Sequence, residues 1–252
     1  MSDLFQIDFD GPIATLCLNR PELHNRIPAA EVTQLGKLLT RIEKRKSTRV
    51  LILTARGDRT FCAGFDIGDI PSQPGREADL EAVIDQLEAL PIPTVCAING
   101  GVYGGGVDLT LACDFRIGVD DFQLRIPAAR LGVHYYINGM RRAVERLGLN
   151  TAKRMLLLAD TFEASCLYEL GYLDYICPRD QLAAQTAQLA QQLADHAPIA
   201  VRGMKRCLNQ IARSNLDWDA AEQGMRAAKE SEDLQEGARA FLERRTPKFK
   251  GR

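Results

Sequence analysis

The sequence has almost no net charge and few histidines. Its 252 residues carry 32 Lys and Arg against 33 Asp and Glu, so the formal net charge is −1. Such a chain has no global field that attracts nucleic acid or an anionic membrane, and we expect neither as a partner. The three histidines, at positions 24, 134 and 196, have no neighbouring Asp/His or Cys/His ligand spacing. The sequence therefore predicts no metal site.

Signals for disulfides, export and membrane spans are also missing. The seven cysteines are odd in number, none forms a C-x-x-C pair, and most lie within apolar runs. This pattern is typical of free thiols in a reducing compartment. The acidic N-terminus has no apolar stretch of the kind found in signal peptides, and no apolar run approaches the ~20 residues of a membrane span. We expect a soluble, cytoplasmic protein.

The first part of the chain alternates between strand and helix patterns. Short apolar runs predict strands, and apolar side chains that recur every three to four residues predict helices. Short strands come in pairs between helices, which indicates an α/β fold other than a plain doubly wound sheet. The predicted strands are 13–19, 50–54, 94–98, 114–119, 123–126 and 173–177, and the predicted helices are 28–46, 78–90 and 104–113. A Pro-, Gly- and Ser-rich stretch predicts a loop over 71–76.

The last third of the chain shows only helix patterns. They predict helices over 181–195, 198–215, 218–230 and 234–244. Their apolar faces fit either an assembly element or a cap over the core of the same chain. The pattern alone favours neither.

Two glycine-bearing segments carry the strongest functional signal. Residues 61–67 and 99–108 each follow an apolar run, and each predicts a strand, a tight turn and a chain that can start a helix. Such turns expose backbone N–H groups where a negative oxygen is favoured. Two of them can direct two donors at one oxyanion. This predicts chemistry on a carbonyl, with an enolate or tetrahedral intermediate.

The same segments belong to a longer series of motifs. They are Asn19-Arg20-Pro21 with Asn25, FCAGFDI at 61–67, AINGGVYGGGVDLTLACDFRI at 97–117, RIPAARLG at 125–132 and LGYL at 170–173. In this order and spacing, the chain resembles the crotonase superfamily, the enoyl-CoA hydratase/isomerase group. The resemblance implies a ββα spiral superhelix core over 1–195 and an α-helical trimerisation region over 196–252. It also implies a homotrimer or homohexamer.

The resemblance further implies an acyl-CoA thioester as substrate and no covalently bound cofactor. Carried over by position, the oxyanion donors are the N–H groups of Phe65 and Gly105. The carbonyl of Ala63 matches the group that meets the adenine of coenzyme A. The remaining positions implied to contact substrate or coenzyme A are Asp66, Ile67, Gly104, and the phosphate-binding candidates Arg26 and Lys248. Of these, Asp66 matches a motif residue that orders its loop rather than performing chemistry.

One departure from the family pattern concerns proton transfer. Family hydratases hold water between two glutamates, and the corresponding positions here are Asp108 and Ala128. Asp108 is the expected acid/base, but its side chain is shorter by one bond of about 1.5 Å, and a misplacement near 1 Å can cost ~100-fold in rate. Ala128 transfers no proton. His134 and Tyr136 are candidate substitutes in the stretch that passes the acyl group.

These departures leave several functions open. Hydration or isomerisation of an enoyl-CoA is the nominal reaction, while thioester hydrolysis or decarboxylation needs fewer carboxylates. A non-catalytic acyl-CoA-binding protein is a further alternative. A dinucleotide-dependent oxidoreductase fits poorly, because residues 101–106 do not match G-x-G-x-x-G.

Overall fold

The computed structural model describes residues 4–65 and 77–252. The predicted contacts of Asp66 and Ile67 and the predicted loop over 71–76 lie outside the described residues. No helix in the described ranges is both long enough and apolar enough to cross a bilayer. All seven cysteines are free thiols.

The strands of the described ranges form two sheets. The larger sheet has the order β1-β2-β3-β5-β7-β10 and the smaller one β4-β6-β8-β9. Only the β1–β2 and β8–β9 pairs are antiparallel. The strands are β1 Phe5–Asp10, β2 Ile13–Leu18, β3 Val50–Ala55, β4 Thr60–Cys62, β5 Thr94–Ile98, β6 Gly101–Tyr103, β7 Phe115–Val119, β8 Gln123–Arg125, β9 Phe162–Glu163 and β10 Tyr175–Cys177.

Helices follow the strand pairs and then fill the C-terminal part. They are α1 Ala29–Lys44, α2 Glu77–Ala89, α3 Gly105–Leu111, α4 Ile137–Lys153, α5 Ala164–Glu169, α6 Leu182–Ala194, α7 Pro198–Ala212, α8 Trp218–Glu230 and α9 Glu232–Glu243. A π-helical turn, Arg154–Leu158, continues α4. The four predicted C-terminal helices are confirmed, with ends that differ by up to three residues.

The strand pairs explain the two sheets. In each pair β3–β4, β5–β6 and β7–β8, the first strand joins the larger sheet and the second joins the smaller sheet. Helices α2 and α3 follow the first two pairs, so the chain advances as a ββα spiral. The predicted crotonase-like α/β fold is therefore confirmed.

Apolar side chains of α1 show how the core is built. Val32, Leu35, Leu39 and Ile42 lie on one face of this helix and are at most 1% exposed. They recur at the helical period, as the sequence predicted. Burial of each such side chain stabilises the fold by about 1.5–3 kcal/mol.

Six elements of the described ranges were not among the predicted strands and helices, namely β1, β4, β6, β9, α4 and α5. Strand β1 alternates exposed residues with buried or half-buried ones, and the sequence had indicated only the acidic character of this segment. Helix α4 buries Arg142 and Ala143 on its inner face. A charged residue at a core position breaks the apolar period, which is why the pattern did not indicate a helix there.

The C-terminal helices are tied to the core by charged side chains. Lys205 on α7 donates to the carbonyl of Ile92 at 2.8 Å and pairs with Asp114 at 2.7 Å. Arg213, just past the end of α7, pairs with Glu88 on α2 at 2.5 Å. The boundary that we predict at 195/196, between the core and the C-terminal region, falls between α6 and α7. These ion pairs and the hydrogen bond to Ile92 connect the two sides of that boundary.

Candidate active site

The two glycine turns meet at one point. Gly64 has φ +86°, and a Cβ there would lie 2.7 Å from the backbone nitrogen of Gly105. A Cβ on Gly105 would in turn lie 3.6 Å from the backbone nitrogen of Phe65. Only glycine permits this approach and this positive φ. The structure thus brings together the two N–H groups that the sequence analysis selected.

Both N–H groups are available to a ligand. Gly105 is the first residue of α3, so its N–H has no acceptor within the helix. In the neighbouring turn, Ile27 donates to the carbonyl of Gly64 at 2.8 Å, and Ala63 donates to the carbonyl of His24 at 3.0 Å. No hydrogen bond within the described residues uses the N–H of Phe65. Two preorganised donors of this kind can stabilise one negative oxygen.

Asn25 fixes the segment that supports this turn. It is fully buried, and its Oδ1 accepts from the backbone of Arg20 at 2.8 Å. Its Nδ2 donates to the carbonyls of Arg56 and Thr60 at 3.0 and 2.9 Å. Asn25 and His24 have φ of +51° and +54°, a region that costs a non-glycine residue energy. The side-chain bonds of Asn25 stabilise this backbone, which accounts for its place in the sequence motif.

A cavity of about 120 Å³ opens beside the two N–H groups. Its wall is mostly apolar, and its hydroxyl and imidazole groups come from the segment before α4. The lining residues are Ala63, Phe65, Leu80, Gly104, Gly105, Pro127, Ala128, Leu131, Val133, His134, Tyr135 and Tyr136. Such a site suits an acyl chain attached to a polar carbonyl.

Asp108 lies behind this wall rather than in it. It is fully buried and does not line the cavity. Both carboxylate oxygens accept from Arg142, Oδ1 from Nε and Oδ2 from Nη2, each at 2.6 Å. Burial raises the pKa of Asp108 above its usual range, and the guanidinium opposes this rise. The role of Asp108 as the acid/base stays a prediction. Both oxygens of this carboxylate already accept hydrogen bonds from Arg142.

Arg142 joins Asp108 to a larger ionic cluster. This side chain is itself fully buried and also pairs with Asp85 at 2.6 Å and with Glu88 at 3.0 Å. Glu88 pairs in addition with Arg141 at 2.8 Å. Burial alone would raise the pKa of Glu88, but the surrounding guanidinium groups hold it below its usual range. The cluster fixes α2, α3 and α4 around the cavity.

Tyr136 carries an unpaired hydroxyl next to the oxyanion donors. Its oxygen is buried and has no hydrogen-bond partner of normal geometry within the described residues. A Cβ on Gly105 would lie 3.8 Å from it. Burial raises the pKa of Tyr136 well above its usual range, as do the neighbouring Tyr135 and Asp108. The group is therefore a neutral phenol that can donate a hydrogen bond to a ligand.

The remaining predicted site residues occupy different positions. His134 lines the cavity but is exposed, and its Nδ1 lies 2.8 Å from the carbonyl of Tyr135. Ala63, Gly104 and Ala128 also line the cavity. Arg26 is exposed in the segment beside the oxyanion turn. Lys248 does not line this cavity, and its backbone donates to Glu236 on α9 at 2.9 Å.

Sequence reasoning missed Arg142. Its partner Asp108 is 34 positions away, and no spacing rule connects them. The available signal was a run of two arginines in a segment with few apolar residues. It considered Tyr135 as a possible hydrogen-bond donor but did not foresee its acceptor, the carbonyl of Gly104, to which its hydroxyl donates at 3.0 Å.

The chain is similar to known proteins over nearly its whole length. Residues 8–252 match the model of the family described as enoyl-CoA hydratase/isomerase. The chain is 34% identical, over 94% of its length and 92% of the relative's, to a protein named enoyl-CoA isomerase/hydratase fer4 from Mycosarcoma maydis. It is 31% identical over the whole of both chains to carnitinyl-CoA dehydratase from Proteus mirabilis. The crystal structure of an enoyl-CoA hydratase from Bacillus anthracis is 29% identical, with a TM-score of 0.90 over 99% of this chain and 100% of that one.

Proposed function

Because the chain belongs to the enoyl-CoA hydratase/isomerase family, whose members act on acyl-CoA thioesters, we propose that it hydrates or isomerises the double bond of an enoyl-CoA. The thioester oxygen would lie between the N–H groups of Phe65 and Gly105. The observation that carries the proposal is the close approach of these two turns. It is possible because Gly64 has no Cβ, for which there would be no room. A negative charge that develops on this oxygen would be stabilised by a few kcal/mol from each donor.

Two groups are proposed to move the proton. Tyr136 lines the cavity, and its buried hydroxyl has no hydrogen-bond partner of normal geometry within the described residues; Asp108 raises the pKa of this hydroxyl from behind the wall. In hydration, the water oxygen bonds to the β-carbon and releases one proton, and the enolate that forms takes a proton at the α-carbon to give the product thioester. We assign Tyr136 the role of a relay, whose oxygen takes the proton from water while its own proton passes to the α-carbon; Asp108 acts on this group through its charge. His134 is the remaining candidate, at the exposed end of the cavity.

Crotonyl-CoA tests this proposal. Loss of the enoyl absorbance in the wild type, with a large loss of turnover in Tyr136→Phe and Asp108→Asn, is the expected result. Tyr175→Phe, which removes a hydroxyl on β10 that does not line the cavity, serves as the matched control and should keep wild-type turnover. Full activity in both site variants would remove these two groups from the mechanism.

One observation favours a second reaction. With both Asp108 oxygens held by Arg142 and Ala128 at the cavity wall, the described residues offer no free carboxylate in the cavity. Decarboxylation forms an enolate without a base, since the bond to the departing carboxyl group supplies the electron pair. A neutral Tyr136 phenol could then protonate it. Release of CO₂ from malonyl-CoA or a substituted malonyl-CoA, without turnover of crotonyl-CoA, would decide for this reaction.

We also propose that the chain assembles as a homotrimer or homohexamer in the cytoplasm. Large apolar side chains of 196–252 are exposed, among them Trp218 at 72% and Phe241 at 84%. Large exposed apolar side chains grouped in one part of a chain are typical of an interaction surface. The free thiols support a reducing compartment. Light scattering should give three or six times the chain mass, and Phe241→Asp should lower it.

Coenzyme A contacts complete the proposal. The carbonyl of Ala63 would meet the adenine, and Arg26 is the nearer phosphate candidate. Lys248 would contribute only from another copy or after movement of the tail, because it lies with the acidic residues of α9. Arg26→Ala should raise KM for acyl-CoA and leave kcat unchanged.

A further inference from the structure

The hydroxyl of Tyr135 touches the back of the oxyanion hole. It donates to the carbonyl oxygen of Gly104 at 3.0 Å. That carbonyl and the N–H of Gly105 are the two ends of one peptide group. Because a peptide group is planar, a bond that fixes its carbonyl also fixes the direction of its N–H.

This peptide group joins two glycines and is held through its carbonyl. Gly104 adopts φ +52° and ψ −124°, a region open to glycine, and a Cβ there would meet one atom within 4 Å, at 3.9 Å. On the other side, a Cβ on Gly105 would lie 3.2 Å from Cδ2 of Leu80. The carbonyl of Gly104 accepts from the N–H of Val107 at 3.1 Å, within the first turn of α3. Within the described residues, Tyr135 supplies the one side-chain hydrogen bond to this oxygen, in addition to the backbone bonds of the helix start.

Tyr135 is itself held in one position. Its ring stacks on Tyr136 with 4.5 Å between centroids and an interplanar angle of 18°. Gly139 makes room for both rings, since a Cβ there would lie 2.7 Å from the Tyr135 ring and 2.6 Å from the Tyr136 ring. Burial raises the pKa of Tyr135 above its usual range, as does the negative charge of Asp108, so the phenol keeps its proton and remains a donor.

We propose that Tyr135 is a positioning residue for the oxyanion hole: its hydroxyl orients and polarises the Gly104–Gly105 peptide whose N–H receives the thioester oxygen. This inference rests on the proposed function of that N–H group. A hydrogen bond to the carbonyl end makes the N–H end a stronger donor, because hydrogen bonds in a chain polarise one another. Tyr135 needs no contact with the substrate to act in this way.

The test measures polarisation of the bound thioester directly. A conjugated thioester such as 2,4-hexadienoyl-CoA absorbs at longer wavelength when donors polarise its carbonyl. We expect Tyr135→Phe to bind it with nearly wild-type Kd, to show a smaller red shift, and to lose about 2- to 10-fold in kcat with little change in KM, the range of one hydrogen bond. Tyr172→Phe is the matched control, since it also loses a buried hydroxyl, bonded to Thr110 at 2.5 Å.

The outcomes separate this inference from the proposed function. No red shift in the wild type would refute the proposed oxyanion hole and this inference with it. A wild-type red shift that persists in full in Tyr135→Phe would overturn only the role of Tyr135. Incorporation of a fluorinated tyrosine at position 135 keeps the ring and strengthens the donor, so it should increase the red shift. An unchanged or decreased shift there would overturn the inference even if Tyr135→Phe folds poorly.

Discussion

Replacement of Arg142 by methionine gives the sharpest test of the ionic cluster. The change keeps the apolar stem but removes the charge that pairs with Asp108. Asp108 is fully buried, so it would be left as an unpaired buried carboxylate. Glu88 would keep Arg141 and Arg213 at 2.8 and 2.5 Å, and Asp85 is more than a third exposed. The cost therefore falls mainly on Asp108.

The expected magnitude follows from that isolation. Removal of one partner of a buried ion pair destabilises a protein by about 3–5 kcal/mol. For a chain of this length, each kcal/mol lowers Tm by roughly 2–4 °C, so Arg142→Met should lower Tm by about 6–20 °C. The double variant Arg142→Met/Asp108→Leu removes both charges and should recover most of the loss.

The pH dependence of the single variant has a definite sign. Without Arg142, burial raises the folded-state pKa of Asp108 above its unfolded value, so folding binds a proton. The loss of stability relative to wild type is then complete at pH values above the folded-state pKa of Asp108. It disappears at pH values below the unfolded-state pKa, near 4. Urea unfolding at fixed protein concentration should show a smaller deficit relative to wild type at pH 5 than at pH 7.5. A loss below about 1 kcal/mol, or a double variant no more stable than the single one, would refute this reasoning.

Three further predictions concern single positions. Gly64→Ala places a Cβ 2.7 Å from the Gly105 nitrogen, so kcat should fall by about 100-fold or more while binding of free coenzyme A persists; an active variant would show that the two turns tolerate separation. Ser231→Ala removes the side-chain oxygen that accepts from the N–H of Leu234 at 3.2 Å, so the free energy of unfolding in urea should fall by about 1 kcal/mol, and an unchanged midpoint would contradict the cap. Glu88→Gln removes a carboxylate whose pKa is lowered in the folded state, and which therefore adds to the free energy of unfolding at neutral pH. Wild type should lose this stabilisation as pH falls below about 4.5, and the variant should lack it already at pH 7. If the free energy of unfolding falls equally steeply with acid in both proteins, Glu88 is excluded as the source.

The sequence predicted what depends on local pattern. The buried face of α1, from Val32 to Ile42, was readable because its apolar side chains recur at the helical period. The turns at Gly64 and Gly105 were readable because glycine between an apolar strand and the start of a helix is typical of a tight turn. Their meeting at one site followed from the resemblance, and from two donors serving one oxygen.

The rest depends on contacts between distant segments. The sequence pattern assigned Arg142 no role, and only the packing of α4 on α3 shows that it is buried against Asp108. The bond from Tyr135 to Gly104 spans 31 positions and ends on a backbone atom, for which no side-chain pattern exists. Positions of this kind are set by the tertiary fold and carry no periodic signal.

The bridges from α7 to the core have a consequence for how the chain can be divided. A protein shortened before α7 would take Arg213 away from Glu88 and Lys205 from Asp114, and both carboxylates are largely buried. The C-terminal helices therefore help to stabilise the fold of residues 1–195 and do not form a detachable module. Gene fusions or transplants that splice a foreign assembly domain at this boundary should yield a core that folds poorly, unless they also supply two cations in the same places.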